Sequence, residues 1–482
     1  MTKKNNQLLS LCLERARARP WPAALAVALA LALSACAPML PQSQGVPVVA
    51  VPAAWSAASA FPNGAPPAIA SGSLALWWQR FDDPLLSTLV EDALLANTNV
   101  RSAQGALRQS RALRDVRSAA MLPGLSASGS VQRSDSDDSG ASNRFRAGLD
   151  ASWEPDIFGG KRNALNAGEA DAQVAEATLA DVQVSVAAEV ALAYIRLRGQ
   201  QAQLIIASNN LRSQQETLQI TDWRAQAGLI TSLEVEQARA ASAQTSAQIP
   251  VLQVGIARTR HSLAVLTGRT PDALQALVAT PQAVPQAAQD LAWSIPAQTL
   301  RQRPDVHAAE HRISAAMARV SAADAARYPS FSISGSVGLN ALTLGTLTNG
   351  ASLATSLLGG ISVPLFDGGA ARAQVRAQEA ALEQARVGYQ SVVLTALKDV
   401  EDALVALAGD RARLVHLQTA ADAAANAALL AQNRFNSGLI DFQTVLQTQR
   451  TLLSAQDSVA SNQADISADH VRLYKALGGG WN

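Results

Sequence analysis

The chain has 482 residues, with 39 Lys plus Arg against 38 Asp plus Glu, a near balance that excludes a basic surface for nucleic acid. Two cysteines exclude a disulfide scaffold and a cysteine-rich metal centre. A hydrophobic content of 48% with only 4% aromatics points to helices packed closely through small side chains.

The first stretch reads as an address. Lys3, Lys4, Arg15, Arg17 and Arg19 precede the apolar run Ala23 to Leu33, which is too short to span a bilayer and has the form of a secretory h-region. Leu33-Ser34-Ala35-Cys36 follows and resembles a bacterial lipobox, so residues 1–35 are expected to be removed and Cys36 to carry the lipid. Ala37 and Pro38 lack the aspartate that resembles an inner-membrane retention signal, which favours outer-membrane lipid as the destination. No later run of about 18 apolar residues is apparent, so no helical span is expected. Residues 36–76, rich in Pro, Ala and Ser in their first part, read as an N-terminal lipid-anchored extension.

From there the chain repeats itself at an offset close to 210 residues. Pro123 ahead of LSASGSV answers Pro329 ahead of SFSISGSV, and Phe158-Gly159-Gly160 answers Phe366-Asp367-Gly368-Gly369. Arg224-Ala-Gln-Ala-Gly228-Leu-Ile answers Arg434-Phe-Asn-Ser-Gly438-Leu-Ile, and Leu266-Thr-Gly268 answers Leu477-Gly478. A unit this long indicates a duplicated domain rather than a solenoid module, with the first repeat at 77–296 and the second at 297–482.

Between the helices of each repeat sit segments of strict period-two alternation, placing a β-hairpin at 124–156 and another at 330–366. Phe145, Ala147, Leu149, Ala151 and Trp153 share one face, and Arg144, Arg146, Asp150 and Ser152 the other. Leu125, Val131, Phe331, Ile333, Val337, Leu353, Leu357, Ile361, Val363 and Leu365 continue the apolar face. Four strands of about 10 residues have the length and pattern of a membrane barrel, yet the smallest such barrels need about eight. An open edge is untenable in lipid, so copies must join, and three would supply twelve strands.

Long helices follow at 161–227 and 371–437, free of proline and rich in helix formers. At 1.5 Å per residue each extends ~100 Å, more than three times a bilayer core of ~30 Å. Val190, Tyr194, Leu197, Leu204, Leu211 and Leu218, separated by Gln201, Ser208 and Gln215, suggest a coiled-coil-like seam, answered by Val400, Leu404, Leu407 and Leu414. Gly228 and Gly438 mark the tips, because glycine tolerates the left-handed backbone of a helix end. Return helices are expected at 231–267 and 441–477, with a mid-tunnel connector at 269–296.

His307-Ala-Ala-Glu310-His311 has the H-x-x-E-H spacing of certain zinc peptidases, but the remaining histidines are scattered over tunnel helices, so no third zinc ligand is expected. No phosphate loop, nucleophile elbow or dinucleotide fingerprint is present, so no catalytic site, cofactor or metal is expected.

Several phrases together carry a family resemblance: WWQRFDDPLLSTLVEDAL from Trp77, MLPGLSASGSV from Met121, SWEPDIFGGKRNAL from Ser152, RPDVHAAEHRISAA from Arg303, YPSFSISGSVGL from Tyr328, VPLFDGGAARAQV from Val363 and RFNSGLIDFQTVLQTQRTLL from Arg434. In this order the chain resembles the TolC-type outer-membrane efflux family, in the lipoprotein branch that serves resistance-nodulation-division pumps. The resemblance implies a mainly α fold with a membrane β part, in which duplicated hairpins form a trimeric α-barrel topped by a β-barrel of twelve strands. It also implies an outer-membrane duct of a tripartite efflux system for small molecules such as drugs, working with a periplasmic adaptor and an inner-membrane transporter. It places a periplasmic gate beyond Gly438, where Arg450 matches the family's arginine but Gln447 stands in place of its aspartate; Asp441 lies nearer the tip. Gly228, Leu229, Ile230, Gly438, Leu439 and Ile440 are the implied docking tips for adaptor helices. The alternative is a lipid-anchored periplasmic coiled-coil scaffold without a pore.

Overall fold

The computed structural model describes Pro47, Trp55, 75–135, 141–287 and 297–479. Cys36, expected to carry the lipid, lies outside the described residues, as does the signal segment. In chain order the elements are a short 3-10 turn Trp77–Phe81, α1 (Pro84–Ala96), α2 (Thr98–Ala119), β1 (Gly124–Ser134), β2 (Ser142–Trp153), α3 (Gly160–Gln226), α4 (Ser232–Leu266), α5 (Pro304–Ala325), β3 (Ser330–Ala341), β4 (Leu353–Ser362), α6 (Ala370–Asn436) and α7 (Phe442–Ala476).

The strands form one antiparallel sheet in the order β1-β2-β3-β4. Gly124 stands opposite Ser152, Trp153 opposite Ile333, and Ser330 opposite Ser362. This register gathers Leu125, Val131, Leu149, Trp153, Ile333, Val337, Leu353, Leu357 and Ile361 on one face, all exposed. The other face carries serines with Gln132, Arg144, Arg146, Asp150 and Asn340. A soluble sheet buries its apolar face; this one leaves it bare, as a lipid-facing wall does. At the helix end of the strands Phe158 stacks on Tyr328, with ring centroids 5.0 Å apart, and Trp153 Nε1 donates to Met121 O at 3.0 Å. Aromatic side chains at that level suit a membrane–water boundary.

The helices follow one another side by side rather than around a central core. α3 packs against α2 and α4 on one flank and α5 and α7 on the other, and α6 packs against α5 and α7. α3 and α6 each run for 67 residues, while their neighbours come in two pieces, 22 residues near the sheet and 35 toward the tips. One window of α3 is apolar enough to cross a bilayer. On the same helix Val186, Val190, Tyr194, Ile195 and Leu197 belong to a core cluster with Trp77, Phe81, Leu86, Leu89, Leu274, Val278, Val471 and Tyr474. Trp77 stacks on Tyr474 with centroids 5.5 Å apart.

The seam expected along α3 is only partly the buried line. Val190, Tyr194, Leu197 and Gln201 are buried, but toward the tip Leu204, Leu211 and Leu218 are half-buried. Ala207, Asn210, Gln214, Thr217 and Thr221 take the buried positions there. On α6, Val400, Leu404 and Leu407 are buried and Leu414 is half-buried, with Ala424, Ala428, Ala431 and Phe435 buried farther down. A helix in a one-layer wall has two flanking neighbours, so contact is shared between two lines of small or polar residues rather than held in one leucine stripe.

A buried polar network fixes the connector to the wall. Arg198, 1% exposed, donates to Gln201 Oε1 at 2.8 Å, Thr280 O at 2.8 Å, Gln282 Oε1 at 2.9 Å and the Tyr194 hydroxyl at 3.0 Å. The Tyr194 hydroxyl donates in turn to Asp83 Oδ2 at 2.7 Å, and Asp83 caps α1 through the Leu85 and Leu86 amides. Burial and the Asp83 hydrogen bond push Tyr194 up to about 12.

Candidate functional site

The two tips are built alike because the same sequence grammar ends one helix and starts the next. Gly228 has φ 71° and Gly438 φ 73°. At each, the glycine amide donates three residues back, to Ala225 O and Phe435 O, and the next amide donates five back, Leu229 to Arg224 O and Leu439 to Arg434 O. This left-handed cap satisfies carbonyls that the helix end leaves open. Leu229 and Leu439, each 73% exposed, project from the turns, and Ile230 and Ile440 are half-buried behind them.

The helices that leave the tips are capped by different chemistry at equivalent positions. Thr231 forms a capping box with Glu234 at the start of α4, with a close contact between the Thr231 hydroxyl and the Glu234 carboxylate. Asp441 caps α7, accepting from Thr444 N at 2.9 Å and Thr444 Oγ1 at 2.6 Å. The Thr444 hydroxyl, then its amide, hold the Asp441 carboxyl below the usual carboxylate range. Gln447 and Arg450, both exposed, lie three residues apart on α7, so they share a face. Asp441 sits at the helix start, six residues or ~9 Å of rise before Gln447.

Between the tips lies an arrangement that sequence reading missed. Arg224 Nη1 donates to Phe435 O at 2.8 Å and Nη2 to Asn436 O at 2.7 Å, while the guanidinium lies 4.6 Å from the Phe435 ring centroid. The Phe435 and Phe442 rings are 5.5 Å apart, and Val445, Leu446, Ala238, Ala241 and Ala431 close the cluster around them. The Arg224/Arg434 equivalence was visible as a repeat, but only the fold puts Arg224 on the carbonyls that end α6.

The H-x-x-E-H spacing sets two histidines one turn apart on α5. His307 and His311 stack with centroids 6.5 Å apart, and His307 Nδ1 is 3.7 Å from Glu310 Oε2. Burial, then the neighbouring His307, lower the pKa of His311. Among the described residues no group of three metal-ligating side chains forms. Farther along, a cavity of about 450 Å³ between α3, α5, α6 and α7 is lined by Asp181, Asp305, Asp399, Asp402 and Asp469 with Arg303, Arg472 and Lys475. Its charges are largely paired within the chain: Arg303 with Asp305 at 2.8 Å and Arg472 with Asp469 at 2.5 Å.

A sheet bare on its apolar face, continued by helices of 67 residues that far outrun the strands, has the form of a channel wall that crosses a membrane and an aqueous space. The family model described as outer membrane efflux protein matches residues 89–269 and 295–479, once for each repeat. The chain belongs to this family: it is an outer-membrane efflux channel protein, with the family's long helical hairpins continued by a membrane β-sheet, reaching from the outer membrane into the periplasm. It is 33% identical over 465 residues to the pyoverdine export outer membrane protein OpmQ of Pseudomonas putida, covering 93% of this chain and 95% of that one. It is 32% identical over 418 residues to the toluene efflux pump outer membrane protein TtgI of the same species, covering 83% and 87%. Among solved structures, the outer-membrane channel OprN superposes with a TM-score of 0.84 at 35% identity, over 92% of this chain and 99% of that one.

Proposed function

We propose that three copies of this chain close into a passive duct that exports small molecules such as drugs, with a periplasmic adaptor docked at its tips and an inner-membrane resistance-nodulation-division transporter supplying cargo. The observation that carries this reading is the incomplete wall. Among the described residues β1 and β4 each have a free edge, and four strands cannot close a barrel. The helical layer is equally unfinished. α6 exposes Val387, Leu394, Val405, Val415, Leu429 and Leu430 at one flank, and α2 and α4 expose Leu113, Val116, Val251, Val254 and Val265 at the other. Two unlike apolar flanks favour a head-to-tail contact, which generates a ring when the rotation closes.

In this reading Cys36 carries the lipid anchor, and Gly228, Leu229, Ile230, Gly438, Leu439 and Ile440 present the grooves that receive adaptor helices. Asp441, Gln447 and Arg450 line the gate. Gln447 contributes no charge, and the Asp441 carboxylates cap their own helices, so the gate relies less on a carboxylate ring than the family pattern implies. The test is insertion of the purified protein into planar bilayers. Discrete conductance from particles of three chains is expected; a pore-free scaffold gives none.

A further inference from the structure

The duplication fixes more than the number of strands, because it superposes the two hairpins residue by residue. Gly124 pairs with Ser152 in the first, and Ser330 with Ser362 in the second. The first strands are therefore equivalent at a shift of 206 and the second at 210, and the same 210 relates the starts of α3 at Gly160 and α6 at Ala370. The chain also shows how one hairpin joins the next: β2 pairs with β3, with Trp153 opposite Ile333.

We propose that each copy's β4 pairs with β1 of the neighbouring copy in the register dictated by that internal junction, with Val363 opposite the partner's Ala127, Ile361 opposite the partner's Gly129 and Gly359 opposite the partner's Val131. This deepens the reading of the chain as one part of a closed ring and rests on it. The duplication carries the register, and exposure shows which edges it joins. Every residue of β1 is exposed, and all but one of β4, whereas β2 and β3, flanked on both sides, are partly covered. Side-chain size does not by itself set the register, since outward pairs within the chain include large against small, Leu357 opposite Gly335, and large against large, Trp153 opposite Ile333.

Slipped registers break the repeat. Sliding by two residues one way puts Gly359 against the partner's Gly129, and sliding the other way sets Ile361 against the partner's Val131; neither reproduces the internal β2/β3 junction. A slip of one residue turns every apolar side chain toward the aqueous face.

The test is oxidative cross-linking of the full chain in outer membranes. At Gly129 an added Cβ meets only Arg146 O at 3.9 Å, so a cysteine fits. Ile361→Cys with Gly129→Cys is expected to give reducible two- and three-chain bands. Ile361→Cys with Ala127→Cys, or with Val131→Cys, should link about tenfold less, because diagonal neighbours lie ~7–8 Å apart and a disulfide needs Cβ atoms within ~4.5 Å. Val363→Cys with Ala127→Cys tests the same register should the glycine variant not assemble. Equal or stronger linking by a slipped pair overturns the register, as does failure of both in-register pairs in an assembly that still holds three copies. Variants and parent found only as single copies would overturn the ring itself.

Discussion

Replacing Arg224 with alanine removes the contact that joins the first tip to the end of α6. Arg224 gives two hydrogen bonds, at 2.8 and 2.7 Å, to the carbonyls of Phe435 and Asn436, and its guanidinium lies over the Phe435 ring. A hydrogen bond involving a charged group contributes ~1.5–3 kcal/mol when shielded, and a cation over an aromatic face at an exposed site ~0.5–1 kcal/mol. Because Arg224 is half-buried and the terms overlap, the net coupling between the tips is roughly 2–4 kcal/mol. That corresponds to about a 30- to 700-fold rise in the fraction of time the tips stand apart. Lysine keeps the charge but not the fork that spans two carbonyls, so Arg224→Lys should fall between the two. Amide hydrogen exchange over 430–445 measures the effect directly, and single-channel conductance reports whether the opening widens. Unchanged exchange at these amides in Arg224→Ala would refute the reasoning.

The remaining predictions concern the wall. Arg198→Met leaves Thr280 O and the side-chain oxygens of Gln201, Gln282 and Tyr194 without their donor, and at ~1–3 kcal/mol per unsatisfied group, partly recovered by water, should cost roughly 3–5 kcal/mol in thermal unfolding. Asp469, 1% exposed, is raised to about 6, chiefly by burial, so between pH 4 and 6 the folded chain holds a proton that the unfolded chain has released. This stabilisation is lost as pH rises through 6; the melting temperature of Asp469→Asn relative to the parent should therefore climb from pH 4 to 7 and then level off. Gly338→Ala sets a Cβ 2.9 Å from Ala147 O and 3.0 Å from Gly148 Cα, both backbone, and should cost about 2–3 kcal/mol by protease resistance of the sheet. Gly335→Ala, whose nearest atom is 3.6 Å away, is the tolerated control. Gly438→Ala meets no atom within 4 Å, so its cost of about 1 kcal/mol, read from exchange of the tip amides, comes from φ 73° alone.

Alternation in 144–154 and 353–363 exposed the strands and their apolar face, since a two-residue period is a local property that survives whatever the strand pairs with. The breaks at Gly228 and Gly438 were equally legible, because a left-handed helix end is chosen by residue type. The polar line Asn210, Gln214, Thr217 and Thr221 was not, and leucines nearby misdirected the reading. Those residues are buried by neighbours more than 200 positions away, as when Gln449 Nε2 donates to Thr217 Oγ1 at 3.1 Å. Asp441 was legible as an exposed acid near a tip, yet its engagement with Thr444 depends on where α7 begins.

By itself, the sequence determined what local periodicity and self-similarity determine: two copies of one unit, strands with a wet face and a dry face, helices far longer than a bilayer, and tips where they reverse. Only the tertiary structure decided which distant groups meet: Arg224 on the carbonyls that end α6, Phe158 on Tyr328, and Arg198 under the connector. The reason is physical. A helix or strand period is written in neighbouring residues, whereas a contact between halves depends on how two long elements are set side by side, and a shift of one residue in that setting changes every partner.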